Sequence, residues 1–115
     1  MGVFSVESVK GLNHVQTAYK GKDNPIEVVL KEDDMEYDFS GANALRCKIG
    51  TAIIDSATEP DAFDRTEAQL GRLKIYIGEQ NIAPQAYNVK IELDTAENRT
   101  LYFGHVRVKI EDPGI

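Results

Sequence analysis

Apolar side chains return at every second position along most of the chain. In Tyr87-Asn88-Val89-Lys90-Ile91-Glu92-Leu93, the residues Tyr87, Val89, Ile91 and Leu93 share one phase, and Asn88, Lys90 and Glu92 share the other. Successive side chains of a strand point to opposite faces, so this segment predicts a strand with one buried face and one wet face. The same alternation runs through Arg72–Ile77, through His105–Ile110, and through Leu45, Cys47 and Ile49 with Arg46 and Lys48 between them. Ile26, Val28 and Leu30 form another inward set, with Glu27 and Lys31 turned outward. Val15, Thr17 and Tyr19 form a weaker one against His14 and Gln16. Ala52-Ile53-Ile54 follows Gly50-Thr51 and reads either as a hairpin partner of the strand before it or as its bent continuation.

Turn-forming residues separate these runs: Lys20–Pro25, Glu32–Asp34, Ser40–Asn43, Gly78–Asn81 and Asp94–Asn98. No long segment carries apolar residues at three- and four-residue spacing behind a cap, so helix is not expected as a main element. One stretch breaks the rhythm. Thr58–Leu70 is acidic and contains Pro60, which predicts a long crossover with one helical turn and with Phe63 and Leu70 tucked against a sheet. About seven strands with one long connection predict an all-β, immunoglobulin-like antiparallel β-sandwich. The 115 residues match one such domain, 1–115, with a core over about 12–111.

Composition narrows the function. Nineteen acids against thirteen bases give a net charge of −6, which repels phosphate and argues against nucleic acid as a partner. Apolar runs are far too short for a bilayer-spanning helix, so no membrane partner is expected. Met1–Ser5 lacks the basic and apolar regions of a signal peptide. A single cysteine, Cys47, forbids an internal disulfide and fits synthesis in a reducing cytoplasm. Asn98-Arg99-Thr100 matches the glycosylation sequon, a short pattern that chance supplies often.

Candidate chemistry is sparse. His14 and His105 both fall on polar phases, and nothing in the sequence joins either to a serine and a carboxylate. Cys47 shares the inward phase of Leu45 and Ile49 and is expected to be a buried, unreactive thiol. One cysteine and two dispersed histidines offer no zinc spacing. The run Glu32-Asp33-Asp34-Met35-Glu36-Tyr37-Asp38 is the best place for an ion, although a solvated turn explains it as well. The candidate interface or ligand residues are therefore Asp33, Asp34 and Tyr37 in this run, with Tyr76 and Tyr102 on outward phases. No catalytic residue, cofactor or metal is expected. Tyr87 stands at a strand start, where an immunoglobulin-like tyrosine bonds its hydroxyl back to the preceding corner.

The order of the motifs is similar to a known family. Gln16–Asp23 is followed by Ile26-Glu27-Val28-Val29-Leu30, then Tyr37-Asp38-Phe39-Ser40-Gly41, then Ala44–Gly50. Gly71–Ile77 leads through Ala83-Pro84 to Ala86–Ile91, and Phe103–Val108 closes the series. Together they resemble the immunoglobulin-like domains of tailed-phage virion proteins, in particular the N-terminal domain of baseplate upper proteins. Ala86 stands where that family often has glycine. The resemblance implies a non-enzymatic structural part of a phage or prophage virion, assembled in the bacterial cytoplasm, with other virion proteins or a second copy of itself as partner. A carbohydrate-binding or host-adhesion module using the end loops is the other expectation, with a glycan as ligand.

Overall fold

A computed structural model describes residues 2–11, 14–21, 24–78, 80 and 82–112. The strands are β1 (Phe4–Ser8), β2 (Gln16–Tyr19), β3 (Ile26–Glu32), β4 (Met35–Glu36), β5 (Ala44–Ile49), β6 (Ala52–Asp55), β7 (Phe63–Asp64), β8 (Arg72–Ile75), β9 (Ala86–Asp94) and β10 (Thr100–Glu111). One sheet has the order β1-β3-β8-β7, with β4 also paired to β3; the other has the order β2-β10-β9-β5-β6. The immunoglobulin sandwich carries strands A, B, E and D on one sheet and C, F and G on the other. Here β1, β3, β8 and β7 occupy the first set, and β5, β9 and β10 the second. β2 and β6 flank the second sheet, β2 parallel to β10 and β6 antiparallel to β5. The protein is therefore an all-β, immunoglobulin-like sandwich.

Alternation builds the core directly. Val28, Leu30, Leu45, Cys47, Leu73, Ile75, Val89, Ile91, Leu93 and Val108 are sealed from solvent between the sheets. Burying one such side chain is worth about 1.5–3 kcal/mol. Tyr87 makes the expected corner: its hydroxyl donates to the Ala83 carbonyl at 2.7 Å. Val89, two residues on, is fully buried where antibody domains place a cysteine. Ala52–Asp55 resolves as the antiparallel hairpin partner of β5.

Several expectations change. The fold begins earlier than residue 12, because Phe4–Ser8 pairs with β3. Ser8, polar but buried, hides this strand from a search for apolar alternation; its hydroxyl accepts from the Lys10 backbone N–H at 3.2 Å. The phase of the next strand is reversed. Ala18 is buried while Val15 and Tyr19 are exposed. Gln16 shows why: its amide accepts from the Glu27 N–H and donates to the Glu27 carbonyl, both at 2.7 Å. A primary amide has one acceptor and two donors, so it can replace a strand rung across the seam between the sheets. Among the described residues the strand count rises to ten, because the first strand divides between the sheets and β4 and β7 are two-residue stubs.

In the crossover, 3-10 turns span Pro60–Ala62 and Ala68–Leu70. The first follows Glu59 without a side-chain cap, and the Thr58 hydroxyl donates to the Asp55 carbonyl. Phe63 is buried as expected, but Leu70 is 46% exposed, because the chain turns away at Gly71. The turns expected at 20–25 and 78–81 lie partly outside the described residues, at 22, 23, 79 and 81.

Candidate functional site

The sandwich brings the acidic run to one end. β3 and β4 are joined by Asp33 and Asp34, at φ 53° and 65°. Two left-handed residues in a two-residue loop form the mirror-image turn that matches strand twist, and aspartate tolerates it. Asp33 is structural: its N–H donates to the Val3 carbonyl at 2.8 Å and its Oδ1 accepts from the Val3 N–H at 2.9 Å. Asp34 is exposed. Beyond the hairpin the chain lies against Gly71, where a Cβ would come within 2.7 Å of the Leu30 carbonyl and 3.1 Å of the Tyr37 backbone. Only glycine fits that approach, at φ +74°.

Tyr37 is not a free platform. Its ring is half-buried, with centroids 5.9 Å from Phe4 and 5.5 Å from Phe103, and Phe4 and Phe103 are 5.2 Å apart. Burial first, then the charges of Glu32, Glu97 and Asp38, hold its hydroxyl pKa above the usual value. Asp38 is held below the usual carboxylate range by the Ser40 hydroxyl and N–H. A hollow of about 180 Å³ opens here, lined by Tyr37, Asp38, Thr95 and Glu97 among others.

Phe103 reaches the trio through a β-bulge that the sequence reading missed. Tyr102 pairs with Glu92 and Gly104 with Ile91, so Phe103 is the extra residue. A signal was present: inward apolar residues are Leu101 and Phe103, then Val106, Val108 and Ile110, a switch of phase around Gly104. Gly104 adopts φ +107°, which suits a residue without a Cβ.

The five candidate residues do not converge. Asp33, Asp34 and Tyr37 share the acidic end. Tyr102, 53% exposed, stands on the outer face of the β10 sheet. Tyr76 follows β8 at the end opposite the hairpin, half-buried, its N–H donating to the Ala62 carbonyl at 2.8 Å. His14 is exposed beside a hollow of about 310 Å³ with Lys10, Gln16, Asn24 and Glu27. His105 lies on an outer face opposite Lys90. Among the described residues, no group of three or more His, Cys, Asp or Glu could hold a metal ion. Cys47 is sealed, and burial pushes its thiol pKa far up.

The two outer faces differ in charge. On the β1-β3-β8 face, Lys31 meets Glu7 at 2.8 Å, Lys74 meets Glu27 at 3.6 Å and Arg72 meets Glu67 at 3.6 Å. On the β10-β9-β5 face, Arg46 forks onto Asp94 at 2.6 and 2.8 Å and onto Glu92 at 2.7 Å. Arg46 and the Thr100 hydroxyl together lower the Asp94 pKa to about 2. One step along the same face, Lys48, Lys90 and His105 stand directly opposite one another on three adjacent strands. Arg107 follows two residues beyond His105 on the same face. Among the described residues no carboxylate pairs with Lys90 or Arg107, and Lys48 reaches only Glu92, at 3.6 Å. Like charges directly opposite destabilise a sheet.

No protein-family model matches the sequence, and no curated protein matches it. Among solved structures, the chain is similar to the endo-beta-1,4-mannanase from Thermotoga petrophila, at 11% identity and a TM-score of 0.55, over 97% of this chain and 20% of that one. It is also similar to fibronectin(III)-like modules of CbhA from Clostridium thermocellum, at 17% identity and a TM-score of 0.48, over 91% and 93% of the two chains. The chain thus spans about a fifth of the mannanase it matches. The likeness to the mannanase segment is one of fold.

Proposed function

We propose that this domain is a non-catalytic assembly module of a phage or prophage virion, in a tail, baseplate or related component, acting through protein–protein contacts. The order of strand motifs, similar to virion immunoglobulin-like domains, supports the setting. The observation that carries the mode of action is the row Lys48, Lys90, His105 and Arg107 on one sheet face, where among the described residues no carboxylate pairs with Lys90 or Arg107 and Lys48 reaches only Glu92, at 3.6 Å. A sheet face fixed by ladders on both sides presents side chains at defined spacing, as a docking surface requires. The test is to purify particles from the host that carries the gene, on a density gradient, and probe them with an antibody to this domain. The domain is expected to band with the particles at a fixed ratio. Its absence from banded particles contradicts the proposal.

A second reading, carbohydrate binding, is favoured by the hollow at the acidic end, where a tyrosine edge, two carboxylates and a threonine line about 180 Å³. Sugar titration followed by tyrosine fluorescence separates the two: saturable quenching lost in Tyr37→Leu supports the glycan reading, and an unchanged signal removes it.

A further inference from the structure

The molecule separates its charges. The acidic end carries Asp34, Glu36, Asp38 and Glu97, all exposed. Asp34 and Glu36 act on the charge of Lys31, and Glu97 and Asp38 act on the Tyr37 hydroxyl. The row Lys48, Lys90, His105 and Arg107 lies on the outer face of the second sheet, flanked by exposed apolar groups, Ile53 at 59% and Tyr102 at 53%. Ile53 faces out in register with Lys48, on the edge strand β6. The row is thus a cationic strip with an apolar rim on a protein of net charge −6.

We propose that a second copy of this chain occupies this face, placing its acidic end against the row Lys48–Lys90–Arg107. Charge complementarity between two surfaces of one chain argues for a copy of itself. The contact relieves the like-charge opposition of Lys48 and Lys90, which among the described residues only Glu92, 3.6 Å from Lys48, offsets. It joins two different patches, so it is heterologous: repeated, it builds a row or closes a ring. Each added copy presents a fresh basic face, or a fresh acidic end, for the next. The proposal rests on the assembly reading above and names its partner.

The test is sedimentation velocity of the full chain at several concentrations and salt levels. At low salt the mean mass is expected to rise with concentration above the 12.8 kDa of one chain. At about 1 M salt, where the screening length is about 3 Å, it is expected to return to one chain. Lys48→Glu/Lys90→Glu and Glu36→Lys/Glu97→Lys are each expected to stay monomeric at low salt. An equimolar mixture of the two variants is expected to associate again, because reversed face then meets reversed end. Thermal melts of each variant establish that it is folded.

A wild-type monomer at every salt level overturns the proposal, as does association that survives both charge reversals. So does failure of the mixed variants to associate. None of these results touches the particle assay, which judges the assembly reading by itself. Absence from particles would sink that reading while self-association stood.

Discussion

The two outer faces of the sandwich use the same kinds of residue to opposite effect. On the β1-β3-β8 face every cation has an acid within reach: Lys31 with Glu7, Lys74 with Glu27, Arg72 with Glu67. On the other face Arg46 gathers Glu92 and Asp94 into one fork, and among the described residues Lys90 and Arg107 are left without carboxylates. The register decides this. Glu27 falls opposite Lys74, while Lys48 falls opposite Lys90 and Lys90 opposite His105. A face that neutralises itself has little to gain from a partner. A face that repels itself gains stability from any anion laid across it, and the acidic end of the same chain supplies such anions.

The largest effect is expected at the fork. Arg46→Ala leaves Asp94 without its cation and Glu92 with only Lys48, at 3.6 Å, both acids partly buried. Removing one member of a buried pair costs 3–5 kcal/mol and of an exposed pair up to about 1, so an intermediate loss of about 2 kcal/mol is expected in urea unfolding. The acid limb follows from the same fork. Asp94 is held at about 2 in the folded state against an ordinary 3.8. Its contribution is therefore complete above pH 4 and lost as pH falls from 3.8 towards 2. Unfolding midpoints measured from pH 5 to pH 2 are expected to drop across that window, and Arg46→Ala is expected to flatten the drop.

The next effect carries the opposite sign. Lys90→Glu places an acid between Lys48 and His105, and a gain of roughly 0.5 kcal/mol is expected at low salt, shrinking as salt is added. A surface position where charge reversal stabilises the monomer is one whose native charge serves something else. The smallest effect is expected on the self-neutralised face. Lys74→Ala removes an exposed pair at 3.6 Å, and a change within about 0.5 kcal/mol is expected by the same melts. A large loss there, or a loss on Lys90→Glu, breaks the contrast between the faces.

Much of the sandwich was legible in the chain. Strands with strict alternation, such as Tyr87–Leu93, needed only the two-residue period, and Tyr87 announced its corner by standing two residues ahead of an inward Val89. The failures have physical causes. Ser8 is inward but polar, so β1 carried too weak an apolar signal. Gln16 is inward because its amide finds the Glu27 backbone, a partner eleven residues away that no local pattern reveals. Phe103 joined the aromatic trio through a bulge, whose only trace in the sequence was the phase switch around Gly104. Tyr37 read as a candidate ligand residue because nothing local placed Phe4 and Phe103 against it. The cationic row was the least legible feature. Lys48, Lys90, His105 and Arg107 each read as an ordinary outward residue, and only the register among β5, β9 and β10 puts them in line.

Amide chemical shifts of the labelled chain, recorded across a dilution series at low salt, test the contrast most directly. Concentration-dependent shifts are expected at Lys48, Lys90, His105 and Arg107 and at Glu36 and Glu97, with Glu27, Lys74 and Arg72 unmoved. Spectra that do not change with concentration, or changes centred on the Glu27–Lys74 face, would contradict it.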